Sequence, residues 1–227
     1  MNVLVVAAHP DDEILGCGGT LARHVAEGDR VQAVILAEGA TARGGSRDEL
    51  ADAADIEVLR LSACAAAKAI GAEPPRFEGL PDNRLDGLDR LDIIKRVETA
   101  FADLQPAVIY THFGGDLNID HRITSEAVLA ACRPLPNATV HAVYAFETVS
   151  STEWAPASAV IGFQPTHFVD IAAYLQNKRE ALGCYDTEMR AFPHSRSIEA
   201  LDALARWRGA SVGREAAEAF MLLREVR

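Results

Sequence analysis

The chain has 227 residues, with 49% hydrophobic and 24% charged residues, enough for a sizeable buried core. Its formal net charge of −11 argues against nucleic acid or an anionic membrane as a partner, because phosphates would be repelled. No run approaches the roughly 20 apolar residues of a membrane span, and the first apolar run reaches His9 too soon for a signal peptide.

The elements follow in chain order. Residues 2–8 (NVLVVAA) are a continuous apolar run rich in β-branched residues, which predicts a strand buried on both faces of a parallel sheet. After Gly16, Gly18 and Gly19, the residues Leu21, Ala22, Val25 and Ala26 repeat at helical spacing up to Gly28 and Asp29. Residues 31–37 (VQAVILA) predict a second strand, completing a βαβ unit. Residues 38–48 have loop composition, and an alanine-rich helical stretch runs to about Ile70. A short strand and a polar loop fit EPPRFEGLPDNRLDG, and Leu88, Leu91, Ile94, Val97, Phe101 and Leu104 share one face of a predicted helix. Strands are expected at 107–112 and 139–146, with a helix from about 119 to 132 between them. Residues 150–165 read as irregular, THFVDI as a small edge strand, and helices are expected near 172–183, 198–208 and 213–220.

This order predicts one α/β domain over 1–227. It is a Rossmann-like, doubly wound, mostly parallel sheet with helices on both faces and an elaborated C-terminal part. Cys17, Cys64, Cys132 and Cys184 form no CxxC pair and read as reduced side chains in apolar or alanine-rich contexts. Together these features lead to the expectation of a cytoplasmic, enzyme-like protein.

Ligands in such folds bind at the carboxyl ends of the parallel strands. Two of the polar loops expected there carry chemistry: VVAAHPDDEILGCGG at residues 5–19 and THFGGDLNIDHR at residues 111–122. His9 and Asp12 are three apart and can point to one side of a turn, and His121 supplies a third donor of zinc type. A bound zinc lowers the pKa of a coordinated water to about 7. Asp11, beside the ligands, suits a general base for that water, and Asp120 suits an orienting partner for His121 or another polar group. Read alone, Asp11 or Asp12 serves equally well as a helix cap and His9 as an ordinary loop histidine. Asp116, Asn118 and Asp120 likewise suit N-caps of the helix after 119. The pairing of the two motifs at two strand ends is what favours a metal. GCGGT does not spell the dinucleotide fingerprint, no serine sits in a nucleophile elbow, and no cysteine has a nucleophile's context.

With these residues in hand, the chain resembles the PIG-L/LmbE-like family of zinc-dependent N-deacetylases. AHPDDEILGCGGTLARH and GDLNIDHRITSEAVLAA carry the resemblance. LPDNRLD, FPHSRS and ARWRG…GREAAEAF support it. The resemblance implies a zinc-dependent hydrolase, with one Zn2+ per chain, that removes an N-acetyl group from an N-acetylglucosamine-type sugar or glycoconjugate and releases acetate. The substrate partner is then a small amino sugar, and a homo-oligomer is in keeping with the family. It also implies His9, Asp12 and His121 as metal ligands, Asp11 as general base, and Asp82 as a contact to sugar hydroxyls with Arg84 as its neighbour. His194 is a further substrate-binding candidate, and Arg43 and Arg47 could meet a substrate anion.

One position departs from the family pattern. Asn118 stands where many members have a histidine that helps polarise the carbonyl. Either its amide donates a weaker hydrogen bond to the oxyanion, or His112 or His194 takes that part. The alternatives to deacetylation are hydrolysis of another amide or ester on the same scaffold and a non-catalytic sugar- or metal-binding module. Iron or manganese also suits a two-histidine, one-aspartate site.

Overall fold

The computed structural model describes residues 1–42, 52–136, 138–156 and 162–226. Arg43 and Arg47 lie outside the described residues. In chain order the elements are β1 (Asn2–Ala7), α1 (Asp12–Ala26), β2 (Arg30–Ala37), α2 (Ala53–Ala69), β3 (Arg76–Leu80), α3 (Arg90–Leu104), β4 (Val108–His112), α4 (Ile119–Ala131), β5 (Ala142–Phe146), β6 (His167–Asp170), α5 (Leu175–Leu182), α6 (Ile198–Ala210) and β7 (Ala217–Glu225).

The strands form a seven-stranded sheet of order β3-β2-β1-β4-β5-β7-β6. The first five are mutually parallel, and β7 runs antiparallel to both β5 and β6. This bears out the α/β expectation, including the edge strand at THFVDI. The period-2 pleat of β1 sends Val3 and Val5 to one face and Leu4 and Val6 to the other, all fully buried. On the first face they meet α1, α2 and α5 through Ile14, Leu21, Ala63, Ala66 and Leu182. On the second they meet α3 and α4 through Ile93, Val97, Ile123 and Val128. The chain reverses direction across the sheet between β1 and β4, and the loops after those two strands carry HPDDE and GDLNIDH.

Three expectations need correction. Residues 213–220 do not form a helix, because Ala217–Glu225 is β7. The alanine-rich stretch favours helix by propensity, but it fills the slot between β5 and β6 and its backbone groups pair with both. The buried stripe of α3 is Ile93, Val97, Ala100 and Leu104, whereas Leu91 is 58% exposed. Ala100 lies on the core side with no bulk in the sequence to mark it. Lastly, α1 begins at Asp12 and runs through the glycines rather than after them, with a break at Cys17 (φ −147°, ψ 20°).

Close packing accounts for Gly19, the last glycine of GCGG. A Cβ on Gly19 would stand 2.8 Å from the Ile171 side chain, so the helix packs there only without one. In an unbroken helix the Gly19 N–H would bond the Leu15 carbonyl. Instead Gly19 N–H donates to Glu218 Oε1 at 3.0 Å and Thr20 N–H to Glu218 Oε2 at 2.6 Å. The Leu15 carbonyl accepts from Lys178 Nζ at 2.8 Å, and Lys178 also pairs with Glu218 at 2.6 Å. Both side chains are buried. The break in α1 is thus closed by an ion pair from α5 and β7. Glu218→Ala strands a buried ammonium and two buried amides, so we expect it to lower the unfolding free energy by about 3–5 kcal/mol. Urea unfolding of the variant against the parent checks this.

Candidate active site

Strand β1 ends at Ala7, and the next turn delivers His9, Asp11 and Asp12. Asp12 is fully buried and central. Its Oδ2 lies 3.2 Å from His9 Nδ1, 3.3 Å from His121 Nε2 and 3.5 Å from His112 Nε2, and it accepts the His9 backbone N–H at 2.9 Å. Its Oδ1 is buried and has no hydrogen-bond partner among the described residues. The His121 ring nitrogens are near carboxylates but off the line that a hydrogen bond requires. His9, Asp12 and His121 can each turn one donor atom into a space where all three lie within 4.8 Å of one another. Strands β1 and β4 are neighbours, which brings residues more than a hundred positions apart into that space.

Outside this triad stand further carboxylates. His9 Nε2 lies 3.1 Å from Asp120 Oδ2 and 3.3 Å from Asp82 Oδ1. Asp120 also accepts the Asn83 and Leu85 amides at 2.8 and 3.0 Å, which pins the loop after β3 to the start of α4. His121 Nδ1 lies 3.1 Å from Asp116 Oδ1. Asp116 in turn is held by the Ser151 and Thr152 hydroxyls and the Asn118 amide. Asp120 therefore faces His9, and Asp116 is the carboxylate on His121.

A cavity of about 260 Å³ opens over these groups, lined among others by His9, Asp11, Asp82, Asn118, Glu188 and Arg196. Asp11 is buried, and its Oδ2 accepts from Arg196 Nη1 at 2.8 Å. Arg196 also donates through Nε to Ser150 Oγ at 2.7 Å. A larger cavity of about 310 Å³ lies beside the second half of α1, lined by Tyr110, Tyr144 and His167 among others, and none of the site carboxylates reaches it.

The other sequence candidates are placed as follows. Asn118 is the N-cap of α4: its Oδ1 accepts the Asp120 amide at 2.8 Å and its Nδ2 donates to Asn83 at 3.0 Å. His112 is fully buried and stacks on His121 at 3.9 Å between ring centres. Its Nε2 accepts the Ala8 amide at 2.9 Å, so it cannot turn toward the cavity. Arg84 and His194 are exposed and do not line the cavity. His194 instead accepts the Arg196 amide through Nδ1 at 3.0 Å and sits against Trp154.

Sequence reasoning passed over Arg196, although it lies inside the quoted FPHSRS. It also gave no role to Glu13, whose carboxylate accepts the Asp11 amide at 3.1 Å and the Tyr185 hydroxyl. No local spacing signals either partner, because 185 and 172 residues separate the pairs.

The electrostatics follow from burial. Burial pushes the Asp11 carboxyl up to about 8 despite Arg196 beside it, and Glu13 up to about 7 despite its bond from Tyr185. Against the same upward push of burial, His121 and His112 hold Asp12 well below the usual carboxylate range. Burial lowers His112 to about 3, which keeps it neutral. In His9 and His121 burial is outweighed by the carboxylates, so His9 rises well above its ordinary value and His121 to about 8.

The family model for PIG-L, GlcNAc-PI de-N-acetylase, matches residues 4–132, more than half of the chain, and the chain belongs to that family. A 1D-myo-inositol 2-acetamido-2-deoxy-alpha-D-glucopyranoside deacetylase of Mycolicibacterium vanbaalenii is 32% identical over 198 residues, which cover 76% of this chain and 68% of that protein. Among solved structures, the N,N'-diacetylchitobiose deacetylase of Pyrococcus horikoshii superposes with a TM-score of 0.78 at 19% identity, covering 98% of this chain and 84% of that one. GalB of Pseudomonas putida, a 4-carboxy-2-hydroxymuconate hydratase, superposes with a TM-score of 0.77 at 22% identity, covering 100% and 97%. These two likenesses concern the fold. Among the described residues no helix is long and apolar enough to cross a membrane.

The raised groups set a pH dependence for the metal-free protein. His121 favours the protonated form when folded, so its contribution is full below its unfolded pKa of about 6.5 and is lost as pH rises through about 8. Asp11 and Glu13 also bind protons more tightly when folded, which acts in the same direction. The melting temperature of metal-free protein should therefore fall between pH 6.5 and 8.5, and a zinc-loaded sample should show a smaller fall. Differential scanning calorimetry across that window checks the sign.

Proposed function

We propose that the chain is a metal-dependent N-deacetylase that removes the acetyl group from an N-acetylglucosamine-type sugar or glycoconjugate, releasing acetate and a free amine. The observation that carries this reading is the convergence of His9, Asp12 and His121 just behind a cavity that His9 and Asp11 line. Membership of the PIG-L family and the deacetylase name of the 32% relative support it and weigh against a binding module or a hydrolase of unrelated bonds.

The donors suit a metal. Two imidazoles and one carboxylate leave an open coordination position, and the buried Asp12 Oδ1, without a hydrogen-bond partner among the described residues, suits a metal-ligating oxygen. We assign one Zn2+ per chain to His9, Asp12 and His121, a donor set that iron or manganese can share. When bound, such an ion polarises the acetyl carbonyl and makes water acidic enough to attack near neutral pH.

The chain's own residues do the rest. Asp120 hydrogen-bonds His9 at Nε2, and Asp116 lies 3.1 Å from His121 Nδ1, which leaves the other nitrogen of each ring to the shared space. Asp11 takes a proton from the attacking water and returns it to the departing amine. The charge of Arg196 favours the carboxylate form that accepts this proton, against the burial that opposes it. Asn118 has one Nδ2 hydrogen engaged with Asn83 and directs the second at the substrate carbonyl oxygen. Asp82, on the cavity wall, receives sugar hydroxyls. Arg84 and His194, outside the cavity, have no part in this reading. The whole of 1–227 acts as one unit because Arg196 reaches Asp11 from the far end of the chain. The enzyme works in the cytoplasm on a small amino-sugar substrate.

Acetate release from a panel of N-acetylglucosamine derivatives tests this, with chelator and zinc add-back as controls. We expect chelator-sensitive release from at least one compound. Asp11→Asn should keep its metal and lose about 10²–10⁴-fold in turnover; unchanged turnover would make the base assignment wrong. Asp116→Ala should weaken zinc binding about 10–100-fold, read by chelator competition.

A further inference from the structure

Asp11 has a backbone that few residues adopt. The other described non-glycine residues with positive φ, Asn83, Gln105 and Ser150, sit at 51–64°, in the ordinary left-handed well. Asp11 sits at φ 113°, ψ −31°, outside it. Such a conformation is strained and persists only where its surroundings fix it.

The fixing contacts are visible. The Asp11 carbonyl accepts the Ile14 and Leu15 amides at 3.1 and 2.9 Å, which ties it to the first turn of α1. Its own N–H points into the protein, where Glu13 Oε2 accepts it at 3.1 Å. The other Glu13 oxygen accepts the Tyr185 hydroxyl, and Tyr185, just after α5, is fully buried. Glu13 is itself only 2% exposed, does not line the cavity and has no lysine or arginine paired with it among the described residues. A buried carboxylate that neither meets a metal nor a substrate needs another reason to be there.

We propose that Glu13, anchored by Tyr185, is a positioning residue. It holds the strained Asp11 peptide so that the Asp11 carboxylate faces the cavity while the next residue, Asp12, faces the imidazoles. Two adjacent aspartates thereby serve two different places. Tyr185 makes that geometry depend on the C-terminal part of the chain, as Arg196 does for the Asp11 side chain. The inference rests on the reading of Asp11 as the base.

The test compares Glu13→Ala, Glu13→Gln and Tyr185→Phe with the parent and with Asp11→Asn, all loaded with zinc. The kinetic probe is the N-acetylglucosamine derivative of the panel from which the parent releases acetate fastest, and crystal structures are determined alongside. Glu13→Ala should hold zinc as tightly as the parent and keep its KM, but lose about 100-fold in kcat, the effect of misplacing a reacting group by about 1 Å. Glu13→Gln, which keeps one acceptor oxygen, should recover most of that loss. Tyr185→Phe should lose roughly fivefold, the effect of one hydrogen bond. It should add nothing in the Glu13→Ala background, because the two act in series. In the Glu13→Ala crystal Asp11 should leave positive φ.

Unchanged kcat in Glu13→Ala, or a loss explained wholly by released zinc, overturns the proposal. If Glu13→Ala does not fold, Glu13→Gln and Tyr185→Phe decide on the same kinetic split. If Asp11→Asn remains active, or the parent releases acetate from none of the panel of N-acetylglucosamine derivatives, it is the functional reading that has failed. The Asp11 φ in the variant crystals then decides the positioning role by itself.

Discussion

One buried carboxylate governs the site. Asp12 lies within 3.5 Å of three imidazole rings, with no exposure to solvent, at the point where the sheet order reverses. Burying a carboxylate is costly unless charge or hydrogen bonds compensate it. Here the imidazoles compensate Oδ2, while Oδ1 has no hydrogen-bond partner among the described residues. Around it, Asp82, Asp116 and Asp120 add carboxylates, which in the metal-free protein are answered by protons that His9 and His121 bind more tightly than usual. The divalent cation proposed for His9, Asp12 and His121 would take the place of those protons, and the rest of the site reads as support for it.

The support comes from the whole length of the chain. Asp120 and Asp116 face the His9 and His121 rings from the start of α4 and the loop before it. Asp120 also ties down the loop that carries Asp82. The C-terminal part contributes Arg196 to Asp11, Tyr185 to Glu13, and the Lys178–Glu218 pair that closes the break in α1. A helix start that must turn two buried aspartates to different partners and then pack Gly19 against Ile171 does not run as a regular helix. The distant ion pair supplies the bonds that its break leaves open.

Where the sequence was legible, a local pattern was enough. The apolar run of β1 followed by HPDDE, and AVIYTH followed by GDLNIDH, each place a polar loop at a strand end. The Rossmann-like order then brings the loops together. Asp120 was read as an orienting residue, yet its target could not be known, because His9 and His121 are both within reach of a carboxylate at that helix start. Arg196 stood in a motif that was quoted, but nothing in FPHSRS says that its arginine rather than its histidine turns inward. Strand β7 was hidden for a different reason. EAAEAF has the composition of a helix, and only the open slot between β5 and β6 makes it a strand. Glu218 then takes a role inside the protein that composition assigns to a surface residue.

The most direct test of the account is a crystal soaked with zinc and measured on both sides of the zinc absorption edge. The account predicts one strong anomalous peak per chain, at about 2.0–2.2 Å from a nitrogen of His9, an oxygen of Asp12 and a nitrogen of His121. No peak at that point, or a peak held instead by Asp82 and Asp120 on the far side of His9, would contradict it.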